Sequence, residues 1–282
     1  MGRPARKTKE NTNSKPATDP SRIRVGIGGW LYEPWRETFY PPDLPKKSEL
    51  HYASRQVTAI EINSTFYRLQ NASVFAKWRD ETPDDFVFSI KAPRHIVQRR
   101  ALAEGAESLT RFLNSGLTEL GEKLGPILWQ LPPEKAFAPA DLQAFFALLP
   151  DTIGPLPLRH ALEVRHESFR SAQYLELARK FRITTVYTHS NEYPAIADVT
   201  GEFVYARLRE AVAGEPTGYA HAEIATWARR AHQWSSGEAS DDLPLLLTPL
   251  LVGARDVFIY FINGAKERAP AAAMALLSAL NA

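Results

Sequence analysis

IRVGIGGWLYEPWRETFYPP, residues 23–42, decides the fold. It opens on a strand-length apolar run, IRVGIG, closed by glycines at 28 and 29. A doubly wound dinucleotide fold would continue G-x-G-x-x-G into a helix. Here Leu31 stands where the third glycine belongs, and Tyr32, Pro34 and Trp35 follow. The phosphate fingerprint of an open sheet is missing from the first βα turn. That leaves a closed (β/α)8 barrel as the architecture to test on the rest of the chain.

Seven further runs of strand length follow: VTAIEIN (57–63), FVFSIK (86–91), PILWQL (126–131), HALEVR (160–165), ITTVYT (183–188), FVYARL (203–208) and VFIYFI (257–262). Most are rich in Val, Ile, Phe and Tyr. Helical patterns lie between them. Leu109, Phe112, Leu113, Leu117, Leu120 and Leu124 recur at 3.6-residue spacing and predict one helix over 107–124. SAQYLELARKF (171–181) and EIATWARRAHQW (223–234) repeat the pattern, AAAMALLSAL favours a C-terminal helix, and NEYPAIADVT is the weakest helical segment. DDLPLLLTPLLVGARD (241–256) is expected to lay its leucines on the barrel's flank. Alternating strands and helices argue for parallel pairing, and eight such units match the size of a single α/β domain, a TIM barrel over residues 22–282.

Residues 1–21 contain almost nothing that can be buried and read as a disordered basic tail without a secretory signal. Residues 1–24 hold seven basic and two acidic side chains. The remaining 27 basic and 30 acidic ones leave the body at −3, so the overall +2 resides in the tail. The chain has no cysteine, which excludes disulfides, a thiol nucleophile and thiolate metal sites. No apolar run is long enough to cross a membrane, and the expected compartment is the cytoplasm. Neither G-x-S-x-G nor a P-loop is present.

Parity along the strands locates a site. Glu61 and Asn63 share one side of the second run, Ser89 and Lys91 of the third, and Glu163 and Arg165 of the fifth; Tyr205, Arg207 and Arg209 share one side of the seventh. Gln130 ends the fourth run. In a barrel this polar set faces the lumen at the C-terminal ends of the strands, where barrel enzymes place their chemistry. Lys91, Arg94, Arg165, Arg207 and Arg209 outnumber Glu61 and Glu163, so the mouth favours a small anionic or phosphorylated ligand. Glu61 and Glu163 are candidate acid and base, and Lys91 is a candidate amine nucleophile or ion-pair partner. His189 is a candidate proton shuttle. Trp30 and its aromatic neighbours form either a stacking lid or a plug for the barrel end. No His or Asp spacing suggests a metal, and no motif suggests a cofactor.

GIGGWLYEPWRETFYP, AIEINSTFYRL, FSIKAPR, LGPILWQLPP, LEVRHESF, VYARL and YFINGAKERAPAAA resemble, in order, the blocks of the YecE-like family, domain of unknown function 72, over residues 23–280. The resemblance implies a (β/α)8 barrel and maps shared polar positions onto Trp30, Glu61, Asn63, Thr65, Tyr67, Lys91, Gln130, Glu163, Arg165, Arg207 and Asn263. It implies no reaction. Three readings stay open: a hydrolase, lyase or isomerase working by metal-independent acid/base chemistry, a nucleic-acid binder that clamps phosphates and stacks bases, and a non-catalytic ligand-binding barrel. The sequence leaves the oligomeric state undefined.

Overall fold

The computed structural model describes residues 22–249 and 253–282. The basic arm, residues 1–21, lies outside them. Eleven strands are present among the described residues: β1 (Ile23–Gly28), β2 (Ala59–Ile62), β3 (Val87–Lys91), β4 (Leu124–Gln130), β5 (Thr152–Ile153), β6 (Leu156–Pro157), β7 (His160–Glu163), β8 (Thr184–Thr185), β9 (Tyr187–His189), β10 (Val204–Leu208) and β11 (Val257–Phe261). Nine of them form one parallel sheet in the order β8-β7-β4-β3-β2-β1-β11-β10-β9. Its two end strands, β8 and β9, are halves of one run broken only at Val186, whose N–H still donates to the Leu162 carbonyl at 3.0 Å. The sheet therefore closes on itself through residues 184–189, and the molecule is an eight-fold α/β barrel.

Two apolar clusters follow from the period-two alternation of the strands. One fills the lumen and includes Val87, Leu128, Phe203, Tyr205, Phe258, Tyr260 and Ile262. The other lies between strands and helices and includes Ile27, Ile60, Phe88, Trp129, Leu162 and Leu208 with Trp227 and Leu276. Burying the same strand on both faces is what parallel strands require, and it explains their near-continuous apolar runs. Gly26 permits the closest approach. A Cβ there would stand 2.0 Å from the Ala59 carbonyl oxygen, so β1 and β2 could not keep their spacing with any larger residue.

Arg159 stands at the N-terminal end of the barrel. Its guanidinium carbon lies 4.9 Å from the centre of the Phe258 ring and 5.9 Å from that of Phe203. Its Nη1 donates to Asp256 at 2.9 Å. The cation thus has both a face to stack on and a carboxylate to pair with.

The helices depart from expectation in two places. The single helix expected over 107–124 is two pieces, Ala106–Leu113 and a 3-10 stretch Leu117–Lys123. Gly116 separates them at φ 114°, and a Cβ there would come within 2.5 Å of Ala72. Leucine spacing survives the break because both pieces pack on the same shell, so periodicity alone could not reveal it. The helices 172–180, 221–235 and 269–280 stand where the pattern puts them, and residues 190–200 form no helix. The 241–249 segment lies against the flank: Asp198 accepts from the N–H groups of Leu246 and Leu247 at 3.0 and 2.8 Å, and Leu243, Leu245 and Leu247 pack on the shell. The β5–β6 hairpin carried no signal, its strands being two residues each.

Candidate functional site at the C-terminal mouth

Register places the polar residues in one ring. Glu61 aligns with Gly28 and with Ser89, Gln130 with Glu163, and Arg207 with Thr188. Aligned residues of parallel strands point the same way, so all of them face the lumen. Arg207 is the hub. Its Nε and Nη2 donate to Glu61 Oε2 and Oε1, each at 3.0 Å, and its Nη1 donates to Glu163 Oε2. The first pair is the bidentate fork that only arginine can make. Glu61 Oε2 also accepts from the Tyr205 hydroxyl at 2.8 Å. Glu163 accepts from Gln130 Nε2 at 3.0 Å and from Arg165 Nε at 2.8 Å.

Glu61 and Glu163 are 0% exposed and Arg207 is 1% exposed. Burial by itself would raise the Glu163 carboxyl, but the Arg207 and Arg165 guanidiniums and the Gln130 amide bring it down to about 2. It therefore holds no proton to donate at neutral pH. Burial and the Glu61 charge push the Tyr205 hydroxyl far up, so it stays a donor. The three ionic groups form a closed network whose members satisfy one another, which is the condition for tolerating buried charge.

Above this layer the pattern changes. Lys91, 9% exposed, has no hydrogen bond or ion pair at Nζ among the described residues, and that atom sits 4.2 Å from the centre of the Phe66 ring. Its backbone is pinned: the Thr65 hydroxyl donates to the Lys91 carbonyl at 2.7 Å. Burial and the neighbouring Arg207 lower its pKa, against the pull of Glu61 and Glu163, to about 8. At neutral pH about a tenth of such amines are unprotonated, against a vanishing fraction for an ordinary lysine. Among the described residues Arg209 Nε is buried without a partner, and so is Thr188 Oγ1. Arg165 and Arg209 both stack on Tyr193, 4.4 and 4.7 Å from its ring centre. Glu192 is the other group on Arg209, at 3.4 Å and largely exposed. Lys91, Arg165, Arg207 and Arg209 against Glu61, Glu163 and Glu192 leave the mouth with one excess positive charge.

The sequence-selected residues separate into groups. Glu61, Glu163, Lys91, Gln130, Arg165 and Arg207 come together as described. Asn63 joins them through a 3.4 Å contact of its amide with the Glu61 carbonyl, and Thr65 through Lys91. Tyr67 and Arg94 meet each other on the exposed rim, 5.9 Å from guanidinium carbon to ring centre. Asn263 is exposed. Trp30 does not face the lumen: it packs edge-on against Trp78 at 5.3 Å and touches Phe88 on the helix side of the sheet. Trp35 and Tyr40 are buried and Trp30 is half-buried against the shell, so these rings pack outside the lumen. His189 aligns with Leu208, outside the barrel, and its ring lies 4.9 Å from Trp227. The residue that sequence reasoning missed altogether is Tyr193, which sits in a loop with no periodicity to give it a direction. Thr188 was legible, since it occupies the lumen parity of its run. Among the described residues no three His, Asp or Glu side chains gather where they could hold a metal ion.

A closed parallel barrel with its polar residues collected at the strand C-termini is the architecture of a TIM-barrel protein with a mouth site. Within that class the chain belongs to the family described as "Protein of unknown function DUF72", which matches residues 24–282. It is similar to the UPF0759 protein YecE of Escherichia coli K12, 32% identical over 147 residues, 52% of this chain and 50% of that one. It is also similar to the UPF0759 protein YunF of Bacillus subtilis 168, 27% identical over 179 residues, 60% of this chain and 59% of that one. The chain thus spans about half the length of the curated relatives it matches. Two solved structures share the fold. One is a DUF72 family protein of Enterococcus faecalis V583 (TM-score 0.70, 20% identity, covering 92% of this chain and 96% of that one). The other is a DUF72 family protein of Thermotoga maritima MSB8 (TM-score 0.67, 20% identity, covering 91% and 97%). No helix among the described residues is long and apolar enough to cross a membrane.

Proposed function

We propose that the barrel binds a small organic anion, bearing a phosphate or a carboxylate, at the C-terminal mouth, and that Lys91 is the group that exchanges a proton with it. One observation carries the reading: among the described residues, the ammonium of Lys91 and the Nε of Arg209 lie under the mouth without hydrogen-bond partners, inside a cluster with a surplus of positive charge. Buried polar groups are normally satisfied, and an anion at the mouth would satisfy these two nitrogens. Glu61 and Glu163 act in this reading as fixed carboxylates that hold the Arg207 fork in place, and Lys91 supplies the acid/base function near neutral pH. The nucleic-acid reading draws no support from the loop after β1, where Trp35 and Tyr40 are buried and Trp30 packs on Trp78, and is left with Tyr67 on the rim as its exposed ring. Base stacking requires a free aromatic face.

Calorimetric titration with inorganic phosphate and with a single-stranded oligonucleotide tests the proposal. Saturable phosphate binding by the wild type, weakened at least tenfold in Lys91→Met, is expected; tenfold corresponds to about 1.4 kcal/mol. A wild type that takes up neither phosphate nor small carboxylates overturns it. Oligonucleotide binding that collapses with added salt, while phosphate gives no heat, transfers the case to the nucleic-acid reading.

A further inference from the structure

A lysine that serves only as a charge partner sits within ion-pair distance of a carboxylate. Lys91 does not. Glu61 and Glu163 direct their oxygens to Arg207, Tyr205, Gln130 and Arg165, and the Lys91 amine rests against the Phe66 ring. Phe66 keeps that amine dry on one side, and Thr65 fixes the strand from which it projects. Arg165 is one of the cations that act on it, Arg209 shares the Tyr193 ring with Arg165, and Thr188, in register with Arg207, presents a buried hydroxyl with no partner among the described residues. A desolvated amine next to fixed cations is the arrangement that activates lysine as a nucleophile.

Resting on the anion-binding reading above, we propose that the ligand carries an aldehyde or ketone as well as its negative group, and that Lys91 captures it as an imine. The amine lone pair forms the C–N bond as the carbonyl π bond breaks toward oxygen, giving a carbinolamine. Loss of that oxygen as water then leaves a protonated imine. In sum, the lysine ammonium and the carbonyl compound become the iminium and one water, with no oxidant or reductant consumed. The charge at position 91 is +1 before and after, so the balance with Glu61, Glu163 and Arg207 is undisturbed. The anionic group of the ligand meets Arg165 and Arg209. The lowered proton affinity of Lys91 supplies the free amine that the first step requires.

The full chain is incubated with glyoxylate, which carries an aldehyde and a carboxylate, and reduced with sodium borohydride; hydride adds to the imine carbon and fixes it as a secondary amine. Acetaldehyde serves as the uncharged comparison. Peptide mass spectrometry then reads which lysines are alkylated. Lys91 is expected to be the main carboxymethylated site, above the far more exposed Lys46 and Lys77. The yield at Lys91 is expected to exceed that from acetaldehyde at least tenfold and to fall when phosphate is in excess. Lys46 and Lys77 modified with Lys91 untouched, in a protein that still binds phosphate, overturns imine capture and leaves the anion-binding reading standing. Equal modification of Lys91 by acetaldehyde overturns the pairing of carbonyl with anion. Absence of phosphate binding removes the reading on which both rest.

Discussion

Both ends of the barrel hold a cation against aromatic rings, and they hold it differently. At the N-terminal end Arg159 stacks on Phe258 and Phe203 and pairs with Asp256 at 2.9 Å. At the C-terminal end Lys91 stacks on Phe66 and Arg209 on Tyr193, but neither the Lys91 amine nor the Arg209 Nε finds a hydrogen-bond partner among the described residues. At the first end the Arg159 cation has its carboxylate; at the second the Lys91 ammonium has none within ion-pair distance among the described residues. Between them lies the Glu61–Arg207–Glu163 layer, fully buried and fully paired, which separates the lower, apolar lumen from the mouth. The contrast teaches that burial alone does not single out a charge: the central layer is as buried as the mouth and fully paired, whereas the Lys91 ammonium is not.

Breaking the central layer has the largest effect. Arg207→Met leaves two buried carboxylates facing each other and is expected to cost about 3–5 kcal/mol in urea unfolding. A loss below about 1 kcal/mol, on the scale of exposed ion pairs, would show that the layer is open to water.

Lys91→Met sharpens the difference between the ends in the opposite direction. Removing a buried charge that has no partner is expected to raise stability at pH 7 by on the order of 1–3 kcal/mol while anion affinity falls. The pH dependence follows from the lowered pKa. Between about 8 in the folded protein and about 10.4 in the unfolded chain, the unfolded state binds more protons. Wild-type stability therefore gains from Lys91 as pH rises through this window, and that gain is lost as pH falls through 8. Denaturation midpoints of the wild type and the variant should converge from pH 7 to pH 10; parallel curves would contradict the assigned environment.

At the other end, Asp256→Asn removes a pair that is 31% and 41% exposed, and it is expected to cost about 1 kcal/mol or less. Phosphate titration of that variant should match the wild type; a weakened affinity would mean the two ends are coupled. The smallest effect belongs to His160. Its Nδ1 accepts from Trp129 Nε1 at 3.1 Å and its Nε2 donates to the Pro150 carbonyl at 2.9 Å, so the neutral ring is already satisfied. Burial lowers its pKa. As pH falls below the unfolded value of about 6.5, the unfolded chain takes up the proton first and stability declines. His160→Gln should lack that slope between pH 6.5 and pH 5.

The barrel was legible residue by residue because each strand carries its own signal. IRVGIG is β1 without a shift in either boundary, and FVYARL and VFIYFI miss their strands by one residue. The placement of Glu61, Glu163, Arg165 and Arg207 in one lumen was legible for the same reason: a period of two assigns each side chain a face from local sequence alone. His189 shows the limit. Its run, ITTVYT, gave Thr188 and not His189 the inward parity, and the charged type of the side chain was no guide to where it points. Trp30 shows another, since a residue just past a strand end takes its direction from what it can pack on, here Trp78, 48 positions further along the chain.

Alternation of apolar and polar residues, a property of neighbouring positions, was enough to set the architecture and the ring of charges at the mouth. Which charges cancel and which stay unpaired was decided only when β2, β3, β7 and β10 closed into one barrel. Pairing depends on distances of a few ångströms between residues more than a hundred positions apart, as between Glu61 and Arg207, and no local pattern encodes those distances.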